Sequence, residues 1–309
     1  MTALRQALPA YLALRRAMGF SLERDEKLIR QYLDYLEAHG PGRVTVDSAV
    51  AWAVLPAGAS PTWLRMRIGA VRGFAAYLVP AGLPAETIPP GILGSGGTKR
   101  AVPYLYSDED IAALLHQARR LRTPLRCETI RTLISLLAVT GMRIGEAIAL
   151  DDADFDPAGG MITVRHAKLG KHRLLPLHPS ATAAIGNYRR LRDREFPRPA
   201  TAALLVSSIG TRLRYENVSV TFAKLARRAG LQPRPGRCRP RPHDLRHSMA
   251  VNTLLDWHRD GGDIASRLPL LSAYLGHSEP ANTYWYLSAS PELLAEAARR
   301  LSVITGGSR

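Results

Sequence analysis

A tyrosine near the C-terminus follows several residues whose side chains suit phosphate chemistry. Arg143 stands in Thr-Gly-Met-Arg143-Ile-Gly-Glu, and His243-Asp-Leu-Arg246-His comes later, before Leu-Gly-His277 and, nine residues on, Tyr286. Phosphodiester transfer without metal or nucleotide needs a nucleophile, positive charge around the phosphorane and a proton donor for the leaving oxygen. Residues of these types occur here in one ordered series, so the sequence predicts covalent phosphoryl transfer.

Two arginines are predicted to bind the reacting phosphate. A guanidinium group can hold two phosphate oxygens at once, so Arg143 and Arg246 together could hold both non-bridging oxygens. Either arginine alone would more often be a surface residue or an ion-pair partner, and only the full pattern favours phosphate binding. Glu146, one turn after Arg143, is predicted to orient the active-site groups. An ordinary place on a helix surface is the alternative for Glu146.

Two histidines are predicted to act on protons or hydrogen bonds. Imidazole titrates near neutral pH, so His243 can assist proton transfer. His243 lies three residues before Arg246, which puts both on one helix face or at its start. His277 would donate a hydrogen bond to a non-bridging oxygen. His247 adjoins Arg246 and is therefore expected to point elsewhere, in a structural or supporting role.

Tyr286 is the predicted nucleophile, and Tyr284 is its competitor. A tyrosine hydroxyl is a weak nucleophile at neutral pH and needs activation by cations or a base. Residues two apart on a helix point to nearly opposite sides, so one of the two tyrosines can face the site. The spacing from His277 favours Tyr286, which leaves Tyr284 and Trp285 as packing residues.

The pattern of elements predicts two domains. Apolar residues at helical spacing indicate helices within residues 4–38, near 46–54 and near 62–78. Proline and glycine then crowd residues 80–103, which cannot sustain a helix or central strand. We therefore predict a helical domain at 1–80, a linker at 81–103 and a second domain at 104–309, and the family resemblance described below implies that the first of these binds DNA.

The second domain is predicted to be mainly helical with one small sheet. Ser107 followed by acidic residues is typical of a helix N-terminus. Two strands are expected on either side of a turn. The predicted helices lie near 126–139, 179–195, 215–229, 244–256, 264–275 and 291–301, and the strands lie near 161–164 and 173–177.

Composition favours a polyanionic partner. The 309 residues include 42 Lys and Arg against 26 Asp and Glu, a net charge of +16. Such a basic chain usually meets nucleic acid, although an anionic membrane surface or a simple surface bias is the alternative. The two cysteines form no disulfide framework or metal pair. No apolar stretch is long enough to span a membrane, so we expect a soluble cytoplasmic protein.

The ordered series of Arg143, Lys168, His-x-x-Arg, Leu-Gly-His and Tyr286 resembles the active site of the tyrosine recombinase (phage integrase) family. The resemblance covers essentially the whole chain. It implies a SAM-like helical core-binding domain followed by a catalytic domain. The segment Thr283-Tyr-Trp-Tyr286 particularly resembles the integrase-like transposase branch, and Xer-type site-specific recombinases are the other branch considered.

Lys168 is identified through this resemblance. A family lysine in the hairpin turn protonates the departing 5′ oxygen, which arginine could not do because its pKa is too high. Lys171 lies in the same turn and is the rival. Matching Arg173-Leu-Leu-Pro-Leu to the family's hairpin favours Lys168.

The resemblance also implies a mechanism and partners. The two domains would close around double-stranded DNA, and Tyr286 would form a 3′-phosphotyrosine within a homo- or hetero-tetramer. Bond energy is conserved, so we expect no metal, nucleotide or other cofactor. The basic residues predicted to contact DNA are Arg65, Arg67, Arg72, Lys99, Arg100, Lys171, Arg239 and Arg241.

Three other classes of protein are weighed against this interpretation. A type IB topoisomerase uses similar residues but rejoins the same strand and works as a monomer. A non-catalytic DNA-binding protein would need no particular tyrosine, lysine or histidine. A helical regulator with a basic surface would explain the charge but not the motif order. Transposition, phage integration and chromosome dimer resolution are all compatible with the sequence.

Overall fold

The structure is a computed structural model that describes residues 2–40, 42–94, 102–165, 172–233, 238–277, 279 and 281–289. Contacts divide the chain into two compact units, Met1–Lys99 and Arg100–Arg309. The division falls inside the segment predicted as a linker. The domain bounds given by the sequence stay a prediction.

The first unit is a bundle of four helices around its own core. Thr45 and Ser60 cap the third and fourth helices, since each side chain accepts a backbone N–H of the first turn. The second and fourth helices pack against each other, and apolar side chains at helical spacing fill the interface. The helices are α1 (Thr2–Ala17), α2 (Glu23–His39), α3 (Val46–Val54) and α4 (Pro61–Leu78).

Part of the proline- and glycine-rich segment completes this bundle. Val44 forms a parallel bridge with Ala85, in which Val44 N–H donates to Pro84 O and Glu86 N–H donates to Val44 O. Ile88 is fully covered within the bundle core. This stretch therefore folds onto the helices that precede it.

The second unit is mainly helical with one small sheet, and the predicted fold class is confirmed. A three-stranded antiparallel sheet has the order β1-β2-β3. The strands are β1 (Phe155–Asp156), β2 (Met161–Val164) and β3 (Arg173–Pro176). The helices are α5 (Asp108–Ala118), α6 (Pro124–Thr140), α7 (Ile144–Ala149), α8 (Pro179–Glu195), α9 (Tyr215–Arg228), α10 (Asp244–Arg259), α11 (Ile264–Leu275) and α12 (Ala281–Ala289).

Helix α6 is the centre of the second unit. Ten of its residues are buried, and it packs against α5, α8 and α10, so most of the helix lies in the core. Its C-terminus falls at Gly141, whose left-handed backbone (φ 59°) ends the helix. The chain then turns directly into α7, which fixes the position of Arg143.

Helices α10, α11 and α12 form a smaller apolar cluster. Helix α10 contacts both α11 and α12, and Leu254, Leu271, Leu275 and Tyr286 lie in the interface. Of the helices that the structure describes, none has the length and apolar character needed to cross a membrane. The helix predicted near 291–301 lies outside the described residues.

Gly141 should tolerate no side chain, whereas Gly145 should. A Cβ on Gly141 would lie 3.0 Å from Met249 Sδ and 3.1 Å from Leu275 Cδ2, on a left-handed backbone. We expect Gly141→Ala to lower the free energy of unfolding by about 1–2 kcal/mol. At Gly145 in α7 a Cβ meets nothing within 4 Å, so Gly145→Ala should stabilise by up to about 1 kcal/mol. Urea unfolding of both variants measures these changes in stability. Equal unfolding midpoints for Gly141→Ala and Gly145→Ala would contradict this account of the turn.

Candidate active site

Arg143 is fixed at the start of α7 by Glu146. The backbone N–H of Arg143 donates to Glu146 Oε2 at 2.8 Å, and Arg143 Nη1 donates to Glu146 Oε1 at 2.9 Å. Arg143 donates both bonds, and the one from its backbone N–H is the half of a capping box in which a carboxylate three residues on accepts from the first residue. The guanidinium is left about one-third exposed.

Glu146 holds a second arginine from the sheet. Arg173 on β3 donates from Nη1 and Nη2 to the two carboxylate oxygens at 3.0 and 2.7 Å. Burial alone would raise the pKa of Glu146, but hydrogen bonds from Arg173 and from the backbone of Arg143 outweigh burial and lower the pKa to about 2. Glu146 is therefore ionised at neutral pH and neutralises part of the charge of two arginines.

Arg246 is the most deeply placed cation of the site. It is 2% exposed, and its Nη1 and Nη2 donate to Gly141 O at 2.9 Å and Leu275 O at 2.7 Å. Arg143 Nη2 donates to the next carbonyl, Gly276 O, at 3.0 Å. These carbonyls lie at the C-terminal ends of α6 and α11, where the helix dipole favours cations.

The two guanidinium groups repel each other in this arrangement. Burial, and then the charge of Arg143, lower the pKa of Arg246 to about 10. Arg246 stays protonated at neutral pH, so its charge remains available. Two cations held side by side by neutral carbonyls form a site whose charge a phosphate would balance.

The histidines lie around these arginines. His277 Nδ1 is 2.7 Å from Thr283 Oγ1, and its ring stacks on that of Tyr286 with centroids 6.3 Å apart. His243 lies at the start of α10 and is exposed. Loss of water around part of its ring, and then the charge of Arg246, lower the pKa of His243. Neutral imidazole is thus favoured at His243.

The structure distinguishes the two candidate tyrosines. Tyr286 is 2% exposed and lies in the α10–α12 interface, whereas Tyr284 is 51% exposed. The hydroxyl of Tyr286 lies 2.9 Å from His247 Nδ1. Tyr286 also interacts electrostatically with Arg246. Tyr286 is therefore the tyrosine that shares one cluster with Arg143, His243, Arg246 and His277.

Two residues of the site, His247 and Arg173, are missed by the sequence pattern. Adjacency to Arg246 predicts that His247 points away, yet its ring meets both His243 (4.8 Å between centroids) and Tyr286. The four-residue spacing of His243 and His247 is the signal that could have found it, since such residues are neighbours on one helix face. Nothing in the sequence distinguishes Arg173 as the partner of Glu146.

The predicted DNA-binding arginines differ in their surroundings. Arg67 is 7% exposed, lies 3.7 Å above the Trp52 ring and donates to Trp52 O and Ala53 O. This placement argues against the prediction that Arg67 contacts DNA, because its donors are used inside the bundle. Arg65 and Arg72 are partly exposed on the same helix.

The remaining predicted contacts are placed only in part. Arg239 is exposed. Arg241 forms a fork with the buried carboxylate of Asp244, at 3.1 and 2.8 Å, which ties it to the first turn of α10. Four predicted lysine and arginine residues lie outside the described residues: Lys99, Arg100, Lys168 and Lys171.

Comparison with known proteins agrees with this fold. The sequence model of the phage integrase family matches residues 105–292. A protein of Sinorhizobium fredii (strain NBRC 101917 / NGR234) named as integrase/recombinase y4rB is 42% identical over 309 residues, covering 97% of this chain and 98% of its own. The tyrosine recombinase XerC of Shewanella amazonensis (strain ATCC BAA-1098 / SB2B) is 30% identical over 239 residues, covering 77% of this chain and 74% of its own.

Solved structures share the architecture. The Tn1549 transposon integrase, in complex with transposon right-end DNA, aligns with a TM-score of 0.65 at 16% identity over 96% of this chain and 99% of that one. At this identity the likeness shows the fold alone. The family model matches more than half of the chain, and a match of that extent shows the family as well as the fold. This chain belongs to the phage integrase family of tyrosine recombinases.

Glu146→Gln should remove an acid-sensitive part of the stability. The pKa of Glu146 is lowered from 4.5 to about 2 in the folded chain. Its contribution is therefore full above pH 4.5 and is lost as pH falls toward 2. From this shift we expect the variant to lose about 3 kcal/mol at neutral pH.

Urea unfolding at a series of pH values measures this effect. The matched control is Glu128→Gln, because Glu128 forms an exposed pair with Arg131 and should lose under about 0.5 kcal/mol. If wild type and Glu146→Gln lost stability in parallel from pH 5 to 2, Glu146 would not hold the network together.

Proposed function

We propose that this recombinase uses Tyr286 as its nucleophile and Arg143 and Arg246 as its phosphate ligands. Family members cleave and rejoin DNA at specific sites through a 3′-phosphotyrosine. The observation that supports these assignments is that Arg143 and Arg246 bind neighbouring backbone carbonyls while Arg246 interacts electrostatically with the buried Tyr286. Their paired charge matches the phosphorane that forms during transfer, and fixed charge of this kind stabilises a transition state strongly.

The other assignments follow the chemistry of each side chain. His277, stacked on Tyr286, would donate a hydrogen bond to a non-bridging oxygen. His243 is exposed and favoured as neutral imidazole, so it can exchange a proton at the edge of the site. Glu146 holds Arg143 in place. Lys168 would protonate the leaving oxygen, as the family resemblance implies.

The reaction exchanges one phosphodiester for another. The Tyr286 oxygen attacks phosphorus, the bond to the 5′ oxygen breaks, and a free 5′ hydroxyl leaves with a proton. A 5′ hydroxyl from a partner duplex then attacks the phosphotyrosine and restores the tyrosine. The number of ester bonds is unchanged, which removes the need for an energy source.

We further propose the setting of this reaction. The substrate is double-stranded DNA, and the working assembly is a homo- or hetero-tetramer on two duplexes. The reaction takes place in the cytoplasm and serves DNA integration, excision or transposition. The two described cysteines, Cys127 and Cys238, are unpaired thiols, in keeping with a reducing compartment.

Tyr286→Phe should abolish cleavage without weakening DNA binding. The substrates are nicked duplexes tiled across the DNA that flanks the gene, in buffer containing a chelator. Wild type should give a covalent protein–DNA band, and Tyr286→Phe should give none because phenylalanine has no nucleophilic oxygen. Tyr284→Phe is the matched control and should keep the band, since Tyr284 is exposed. A covalent band from Tyr286→Phe would refute the assignment of the nucleophile.

Arg65→Ala and Arg72→Ala should weaken DNA binding, whereas Arg67→Ala should mainly destabilise the bundle. For every phosphate that a variant no longer neutralises, the slope of log K against log[salt] should fall by about 0.9. Arg67→Ala removes two buried hydrogen bonds and a cation–π interaction, which should cost on the order of 2–3 kcal/mol. Fluorescence anisotropy at several salt concentrations and urea unfolding separate the two effects. A smaller salt slope for Arg67→Ala at unchanged stability would restore Arg67 as a DNA-binding residue.

A further inference from the structure

His247 and Tyr286 form a buried pair at the centre of the site. His247 is 6% exposed and Tyr286 is 2% exposed, and Nδ1 lies 2.9 Å from the hydroxyl oxygen. Their rings meet edge to face with centroids 5.5 Å apart. Trp285 lies against the same imidazole, with centroids 5.7 Å apart.

Burial restricts where the proton of Tyr286 can go. A phenol that attacks phosphorus must give up its proton during the attack, and an ordinary tyrosine keeps it until about pH 10. Bulk water has almost no access to this hydroxyl. His247 Nδ1 lies within hydrogen-bond distance of the hydroxyl and is therefore a protein group that can take this proton directly.

We propose that His247 is a catalytic base that accepts the proton of Tyr286 during cleavage. This rests on the proposed role of Tyr286 as nucleophile. The phenolic O–H bond of Tyr286 breaks and Nδ1 of His247 takes the proton, while an electron pair of the phenolic oxygen forms the bond to phosphorus. The P–O5′ bond then breaks, and the 5′ oxygen leaves with its electron pair and takes a proton from Lys168. In rejoining, His247 returns its proton to the tyrosine oxygen.

Fixed charges around the pair suit this transfer. Arg246 interacts electrostatically with Tyr286 and would stabilise the negative charge that develops on its oxygen. The protonated imidazole would form only while the phosphate is bound, so the phosphate's negative charge offsets the added cation. Among the described residues, the charged and titratable groups near His247 and Tyr286 include His243, Arg246 and His277. Arg143 and Asp244 in turn interact electrostatically with His243.

A modified substrate isolates this step from protonation of the leaving group. A duplex whose bridging 5′ oxygen is replaced by sulfur releases a thiolate, which leaves without an acid because thiols ionise readily. The scissile position is taken from the Tyr286-dependent band of the wild type. Lys168→Ala should cleave this duplex at close to the wild-type rate. A defect in accepting the proton of Tyr286 should persist on it.

Two substitutions at His247 distinguish a role in accepting the proton from a role in holding the Tyr286 side chain in place. His247→Asn places an amide oxygen near the position of Nδ1, so it can hold the hydroxyl but cannot take its proton. It should bind DNA normally and cleave the sulfur duplex about 10²-fold slower or worse. His247→Ala should be equally slow and should recover at least tenfold with added imidazole. His116→Asn, at an exposed histidine of α5, should cleave like wild type.

The free protein offers a readout that needs no DNA target. In protein with ¹⁵N-labelled histidine, the Nδ1 signal of His247 is assigned by its absence in His247→Asn. At neutral pH it should report an unprotonated nitrogen that accepts a hydrogen bond, and it should shift in Tyr286→Phe. A protonated Nδ1 would mean that His247 donates to the tyrosine, and the proposal would fall.

The kinetic outcomes are also decisive. If His247→Asn cleaved the sulfur duplex at the wild-type rate, His247 would only hold the Tyr286 ring in place and would not be a base. Faster cleavage by His247→Ala would make the pair a restraint on the nucleophile rather than a base. In both cases the covalent band would still need Tyr286, so the proposed function would stand. A band from Tyr286→Phe would instead overturn both proposals together.

Discussion

The site depends on holding the Arg143 and Arg246 side chains close together. Like charges repel, and burial together with the charge of Arg143 lowers the pKa of Arg246. Backbone carbonyls of Gly141, Leu275 and Gly276 supply the attraction. Because these carbonyls end α6 and α11, the packing of those helices against α10 fixes the guanidinium positions before any phosphate arrives. Such preorganisation is what makes fixed charge effective in catalysis.

Glu146 solves a second electrostatic problem. A buried carboxylate is costly unless it is paired and hydrogen-bonded, and Glu146 is paired with arginines from two directions. Arg173 on β3 has little exposure, so its positive charge would be buried without an ion-pair partner if Glu146 were absent. The same ion network ties the sheet to the start of α7. The small sheet therefore contributes to the position of Arg143 even though it carries no other described site residue.

The sequence predicts the fold class, and it predicts that the motifs around Arg143, Arg246, His277 and Tyr286 lie in one site. These predictions are possible because helical periodicity, helix caps and motif order can be read from the sequence directly. It could not separate Arg67 from Arg65, since two residues on one helix differ only in which face meets the core. The prediction for His247 failed for a related reason. Its position next to Arg246 indicates that the two side chains diverge, but does not indicate that α12 supplies Tyr286 as a partner for His247. The pairing of Arg173 with Glu146 joins elements distant in sequence, and no local pattern encodes it.

The cluster contains two kinds of polar side chain, arginines and imidazoles, which are held in different ways. The arginines rest on carbonyls that do not titrate, so their arrangement is insensitive to pH near neutrality. The imidazoles of His243 and His247 stand one helical turn apart on α10, the helix that also carries Arg246. Helical geometry alone thus brings two imidazoles close to Arg246. Helix phase also decides between the tyrosines, because two residues turn the chain by roughly 200° and leave Tyr284 in solvent when Tyr286 faces α10.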